Sequence, residues 1–229
     1  MSKYAFVVVA GGVGERTQKN IPKQFVEIHQ KPIIIYSLEI FSKIHPDALI
    51  VIACHKDYIE YCNILIQKYF PSSSNISVIE GGKTRFHSVK NGLDFLNQLK
   101  FSGIVAVHDA ARPCITSRLV QNCLNEAQKH SNAIPAISMY ESIRQITPNG
   151  NTMADRSQFV VVQTPQCAMF DTIYKAFQQP YKDLFTDEAN VLESFGIPIH
   201  LCAGDKNNIK ITYPIDFEIA SLILRTYSE

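Results

Sequence analysis

No two cysteines in this chain form a C-x-x-C pair, and no cysteine–histidine cluster has the spacing of a zinc site. The six that occur are Cys54, Cys62, Cys114, Cys123, Cys167 and Cys202, several of them in apolar or helical stretches. Free thiols in a reducing cytoplasm are the expectation, with Cys114 a small buried filler rather than a nucleophile. Net charge is almost absent as well: 22 Lys and Arg face 21 Asp and Glu, leaving +1. Without a basic surplus, nucleic acid is not an expected partner. No apolar run approaches about 18 residues, so no membrane span is expected. No signal-peptide pattern precedes the strand entered at Tyr4. Repeats, low-complexity tracts and linkers are also missing, so one domain over residues 1–229 is expected. No Ser-His-Asp or Cys-His arrangement offers a protein nucleophile.

What the chain does have is concentrated at its start, in YAFVVVAGGVGERTQKNIPKQ, residues 4–24. Ala5 to Ala10 is a valine-rich run too short for a helix of its own, as expected of a strand buried on both faces of a parallel sheet. Gly11, Gly12 and Gly14 follow at once, letting the backbone turn and approach a ligand closely. Arg16 and Lys23 add placed cations, and the combination describes a site for a phosphate-bearing molecule. Two commoner readings of such glycines fail. A dinucleotide G-x-G-x-x-G would need glycine at 17, where Thr17 stands. Gly82-Lys83-Thr84 ends like a P-loop, but its first glycine would fall on Ser77.

Beyond this stretch, strands and helices alternate at short range. Strands are expected at 48–54, 76–80, 104–108 and 133–137, with helices from Pro32, over 56–69, from Arg85 to Leu99 and from Ser117 to Lys129. That order predicts an α/β fold: a mostly parallel sheet with helices on both faces and right-handed crossovers. Ligands bind such sheets beyond the carboxyl ends of the strands, where GGVGER, EGGKTR and HDAARP should converge. Residues 138–163 break the pattern. PNGN at 148–151 between two extended, polar stretches predicts a projecting β-hairpin arm. Such an arm is marginal alone, so it is expected to dock, most simply on a second copy of the chain. Helices are further expected over about 170–178, from a Thr186 cap to Gly196, and over 214–226, with a strand at 199–204.

The chemistry this suggests is phosphoryl transfer by positioning and electrostatics, with Arg16 and Lys23 neutralising charge on a phosphorus under attack and on departing pyrophosphate. Asp109, directly after a buried strand, reads as a metal-ion holder or as a turn cap. Arg112 reads as an anchor for a substrate anion or as a partner of a carboxylate, and His108 as structural.

VVAGGVGER, PKQF, EGGKTRFHSV, VHDAARP, QTPQ, TDEANVLE and NNIKIT, in this order over residues 5–225, resemble the 2-C-methyl-D-erythritol 4-phosphate cytidylyltransferase family. Ribitol- and other pentitol-phosphate cytidylyltransferases share much of the set, though HDAARP and Arg85-x-x-Ser88 favour the first. The resemblance implies a Rossmann-like nucleotidyltransferase, homodimeric through its β-arm, that uses CTP, Mg²⁺ and a polyol phosphate. It implies that Arg16 and Lys23 stabilise the transition state and that Ala10, Gly11, Gly12 and Gly14 hold the nucleotide. Gly82 and Ser88 would read cytosine, Ala110 would touch ribose, and Asp109 would stand beside Mg²⁺ and the substrate. Arg112, Thr186 and Lys210 would bind the polyol phosphate; on the arm, Ser142 would offer a hydroxyl and Arg156 would reach the substrate of the other subunit. There are departures: Lys83 stands at a commonly acidic position, the arm reads Glu141-Ser142-Ile143-Arg144, and the last helix opens Pro214-Ile215-Asp216. A non-catalytic nucleotide-sugar binding protein is the alternative from another class; retention of both Arg16 and Lys23 argues against it.

Overall fold

The computed structural model describes residues 2–12 and 21–227. Gly14 and Arg16 lie outside the described residues. The first strand, β1 (Tyr4–Ala10), is the valine-rich run, and Ala5, Phe6, Val7 and Val8 are each wholly buried. Full burial of Phe6, Val7 and Val8 stabilises by roughly 1.5–3 kcal/mol apiece, and β1 is paired on both sides, with β4 and β6, in the interior of the sheet. Two short strands, β2 (Glu27–Ile28) and β3 (Lys31–Pro32), form a separate ribbon ahead of α1 (Ile33–Ile44). Then come β4 (Leu49–Cys54), α2 (Ile59–Tyr69), β5 (Ile76–Glu80), α3 (Arg85–Gln98), β6 (Ile104–Asp109), α4 (Ser117–His130) and β7 (Asn132–Ser138). The hairpin strands are β8 (Arg144–Thr147) and β9 (Gly150–Met153). The chain closes with β10 (Val160–Val162), β11 (Gln166–Met169), α5 (Phe170–Ala176), α6 (Glu188–Ser194), β12 (Leu201–Ala203) and α7 (Ile215–Thr226).

The main sheet runs β10-β7-β11-β6-β1-β4-β5, with β12 also on β7. Strands β4, β1, β6 and β5 are parallel to their neighbours within that set, and β11 is the antiparallel insertion between β6 and β7. The chain winds outward from β1 to β4 and β5, then returns to place β6 on the other side of β1. The order therefore reverses between β1 and β6, and a crevice opens beyond the carboxyl ends there.

Alternate β1 side chains feed two layers. Phe6 and Val8 pack with α1, α2 and α4, and Phe6 stacks on Phe41 with centroids 4.2 Å apart. Ala5 and Val7 pack with α3, α5 and α6. Helix α3 lies so close to β1 that a Cβ on Gly92 would come within 2.6 Å of Val7. A third cluster joins Ile28, Ile33, Cys114 and Ile211 to Phe217, Ala220 and Leu224 of α7.

The structure departs from the sequence expectations in three places. The cap of α6 is Asp187, whose carboxylate accepts from the Asn190 amide, so the helix starts one turn position later than a Thr186 cap would put it. In the hairpin, Thr147 pairs with Gly150, so the two loop residues are Pro148 and Asn149. Gly150 then takes φ +128°, a conformation that favours glycine. The ends of the 138–163 segment belong to the main sheet, since β10 pairs with β7 through Val160 and Ser138. The hairpin between them forms its own two-stranded sheet, with Ile146 and Met153 about four-fifths exposed.

Candidate active site

The crevice at the strand reversal is a cleft of about 250 Å³. Ala10, Gly11 and Gly12 form its floor at the end of β1, and Asp109, Ala110 and Ala111 form a wall at the end of β6. Val9 and Asp109 are register partners, and the Ala110 amide donates to the Val9 carbonyl, 3.1 Å. Gly82, Lys83, Thr84, Arg85 and Ser88 close the opposite side, and Lys23, Gln24 and Lys210 complete the lining. A neighbouring hollow of about 390 Å³ shares Gly11, Gly82 and Lys83 and reaches His55, Lys56 and Glu80.

Nine of the residues picked out from the sequence therefore meet here: Ala10, Gly11, Gly12, Lys23, Gly82, Ser88, Asp109, Ala110 and Lys210. Arg112 stands behind Asp109, its Nε 3.6 Å from Oδ2, and spends a guanidinium N–H on the Asn208 carbonyl, 2.8 Å. Thr186, exposed just ahead of α6, is outside the lining. Ser142 and Arg156 lie on the exposed arm segment, where Arg156 donates to the Tyr140 carbonyl. A single chain does not bring them to the cleft.

Several cleft residues are held by groups the sequence reading did not weigh. The Gln24 amide donates to the carbonyls of Ala10, 2.7 Å, and Gly12, 3.0 Å, pinning the start of the glycine loop. Lys23 donates to the Ile211 carbonyl, 2.7 Å. Ile211 is itself wholly buried and its amide donates to the Ala111 carbonyl, 2.9 Å, which places Lys210 over Asp109. Ser88 is nearly buried: its hydroxyl accepts from the Gly82 amide, 3.0 Å, and donates to the Thr84 carbonyl, 3.1 Å. Its visible work is to fold the Gly82 loop. Gly82 has no alternative there, because a Cβ would sit 2.2 Å from the Cβ of His87.

The electrostatic centre is Asp109. Arg85 meets Oδ1 at 3.1 Å and Lys210 meets Oδ2 at 2.8 Å. Burial alone would raise the Asp109 pKa, but Arg85, Lys210 and Arg112 outweigh it and hold the carboxyl far below the usual range. Arg85 also forks onto Glu188, 2.5 and 2.9 Å, across 103 residues of chain. Burial disfavours charge on Arg85, yet Glu188 and Asp109 prevail and keep it protonated. Glu188 is 1% exposed. It is placed by Gln166 of QTPQ, which donates to Asp187, 3.0 Å, and accepts from the Ala189 amide, 3.0 Å. Neither Arg85 nor Glu188 emerged from the sequence as a site residue, although both sit inside quoted motifs.

A relay behind Asp109 sets its backbone. The Asp109 amide donates to the Thr164 hydroxyl, 3.1 Å. Thr164 Oγ1 is 3.1 Å from His108 Nδ1, and His108 Nε2 is 3.3 Å from the Arg112 carbonyl. This pattern calls for a neutral His108 protonated at Nε2, with the Thr164 hydroxyl donating to Nδ1. Burial, the largest influence, lowers the His108 pKa to about 4.

Four cations, Lys23, Lys83, Arg85 and Lys210, thus face a cleft lined by one carboxylate among the described residues. A polyanion suits it. A divalent ion fits under one condition. Magnesium is normally held by one or two carboxylates plus substrate phosphates, and Asp109 supplies one carboxylate. Its Oδ2 becomes available if Lys210, a side chain 40% exposed, swings to a phosphate.

A doubly wound α/β sheet with an anion-binding crevice at its switch point is the architecture of a nucleotide-binding enzyme. The chain belongs to the 2-C-methyl-D-erythritol 4-phosphate cytidylyltransferase family, whose sequence model matches residues 4–226. A cytidylyltransferase of that name from Bacteroides thetaiotaomicron is 36% identical over 222 residues, covering 97% of this chain and all of the relative. One from Azobacteroides pseudotrichonymphae is 39% identical over 98% of this chain and all of the relative. Among solved structures, the Francisella tularensis enzyme of this name aligns with a TM-score of 0.77 at 31% identity, over 96% of this chain and 99% of its own. A 4-diphosphocytidyl-2C-methyl-D-erythritol synthase aligns with a TM-score of 0.80 at 27% identity, over 98% and 100%. No helix among the described residues is long and apolar enough to cross a membrane.

Proposed function

We propose that this chain transfers a cytidylyl group from CTP to 2-C-methyl-D-erythritol 4-phosphate. A phosphate oxygen of the polyol attacks the α-phosphorus of CTP, and the bond to the bridging oxygen of pyrophosphate breaks. The products are 4-diphosphocytidyl-2-C-methyl-D-erythritol and pyrophosphate. The observation that carries this is the cleft itself, where four cations ring one carboxylate at the β1–β6 reversal in a chain that matches the family nearly end to end.

The residues divide by position. The amides at the end of β1 and the Gly82 loop cradle the triphosphate and the base. Lys23, tied to the Ile211 carbonyl in this state, turns toward charge that develops on the α-phosphorus, together with Arg16. Lys210 exchanges Asp109 for a phosphate oxygen. Asp109, together with the triphosphate, would hold Mg²⁺, which would supply charge neutralisation on the leaving pyrophosphate. The arm, with Ile146 and Met153 exposed, docks on a second copy. Arg156 and Ser142 of each subunit then meet the polyol phosphate in the other, together with Arg112 and Thr186.

The test is pyrophosphate release with CTP, Mg²⁺ and each of two acceptors. Turnover is expected with 2-C-methyl-D-erythritol 4-phosphate. Turnover with ribitol 5-phosphate alone would reassign the acceptor, and turnover with neither would leave the binding-protein reading.

A further inference from the structure

At the opposite end of the sheet, Glu126, His130 and His200 turn three ligand atoms toward one another, all within 4.8 Å. Glu126 and His130 are four residues apart on α4, so they share one helical face. His200 arrives from just ahead of β12. Its backbone is fixed on both sides, accepting from the Ile134 amide, 2.9 Å, and donating to Asn132 Oδ1, 2.9 Å. We propose that Glu126, His130 and His200 form a binding site for a borderline divalent metal ion such as Zn²⁺, separate from the nucleotide cleft.

The distances favour it. In a tetrahedral zinc site with ligand bonds near 2.05 Å, neighbouring ligand atoms stand about 3.4 Å apart. Here Glu126 Oε2 lies 3.1 Å from His200 Nε2 and 3.6 Å from His130 Nε2, on either side of that value. The two imidazoles are stacked with centroids 3.7 Å apart and planes 16° from parallel, so one ring turns about its Cβ–Cγ bond on binding to bring both Nε2 lone pairs onto one ion. An ion replaces N–H protons at both Nε2 atoms and leaves a fourth position for water. Two imidazoles and one carboxylate select zinc, cobalt, nickel or copper over magnesium or calcium. The site also lies in the last turn of α4, where the helix dipole favours a cation. Lys129 holds only Glu126 Oε1, 2.8 Å, and leaves Oε2 to the ion.

The ion would bridge α4 and β12, both of which pack against β7 at the sheet margin. It lies at the amino end of β7, whereas the cleft forms at the carboxyl ends of β1 and β6. Stability, rather than turnover, is therefore what it should change.

The experiment is titration of the tag-free chain with ZnCl₂ by calorimetry, and with Co²⁺ by visible absorption, in the absence of nucleotide. One equivalent should bind, with a cobalt spectrum of nitrogen and oxygen ligands. Zinc at about a hundredfold its Kd should raise the Tm by about 5–10 °C. Glu126→Gln and His200→Asn should each weaken binding by at least about tenfold and leave pyrophosphate release unchanged. The proposal is overturned by a thiolate-to-cobalt band, by no binding below millimolar metal, or by parental affinity in both variants.

Discussion

Acidification should loosen this protein through His108 as the pH falls below about 6.5. The ring is wholly buried, packed edge-on against Phe41 with centroids 5.4 Å apart, and it accepts from Thr164 only when Nδ1 is bare. Its folded pKa of about 4 lies below the ordinary 6.5. A depressed folded value means that the unfolded chain takes up the proton first. The stabilisation is complete above about pH 6.5, falls as pH drops toward about 4, and is constant below that. At about 1.4 kcal/mol per pH unit, the full loss is roughly 3 kcal/mol. Between about pH 7.5 and pH 5 it is about 2 kcal/mol, a fall in Tm of about 4–8 °C for a chain of this size. His45, also lowered chiefly by burial, adds to the parental slope in the same direction. The assay is thus a difference: thermal melts of parent and His108→Gln across that range. The variant should start less stable at neutral pH and lose about 2 kcal/mol less on acidification. Equal slopes would refute the assignment, as would an imidazole NMR titration of the folded parent with a His108 midpoint near 6.5.

Two further perturbations separate binding from framework. On the proposed role of Lys23 in the transition state, Lys23→Ala should lower kcat by about 10²–10³ while CTP affinity falls modestly; single-turnover kinetics would decide, and surviving turnover would remove Lys23 from the chemistry. Glu188→Gln keeps the volume but leaves Arg85 with Asp109 as its remaining carboxylate partner in this cluster, so Tm should drop by about 5–10 °C through loss of charged hydrogen bonds worth roughly 1.5–3 kcal/mol; an unchanged melt would show that the pair carries no stability.

The parallel half of the fold was legible because burial on both faces leaves an unmistakable trace. Ala5–Ala10, residues 48–54 and residues 104–108 read as strands since nothing polar interrupts them, and β1, β4 and β6 are those strands. β11 was not legible. It is four residues long and antiparallel, and it begins inside QTPQ, at Gln166, a stretch that looks like a loop. β2 and β3 are two residues each, below any periodic signal. The Thr186 cap was a near miss of a common kind: two capping residues stand side by side, and only geometry shows that Asp187 reaches the Asn190 amide.

The site was legible as a set of motifs and illegible as a network. Asp109 was expected to face a metal ion, and a lone carboxylate after a buried strand permits that. Pairing with Arg112, three residues on, was one of the two sequence readings; what sequence could not convey is that Arg85 and Lys210 also close on Asp109 from distant segments. Charge pairing across 24 and 101 residues leaves no local spacing to detect. The same holds for QTPQ and TDEANVLE. Their shared purpose is visible only when Gln166 is seen to seat the first turn of α6, which sets Glu188 against Arg85, which in turn holds Asp109. The cleft's cations are therefore already partly spent on protein carboxylates. On the proposed exchange, an incoming triphosphate competes with Asp109 for Lys210, which delays full positive charge until the nucleotide is present. A cleft with four cations and no carboxylate would stand open to any polyanion; in this one Lys210 is already paired with Asp109, and Arg85 with Asp109 and Glu188.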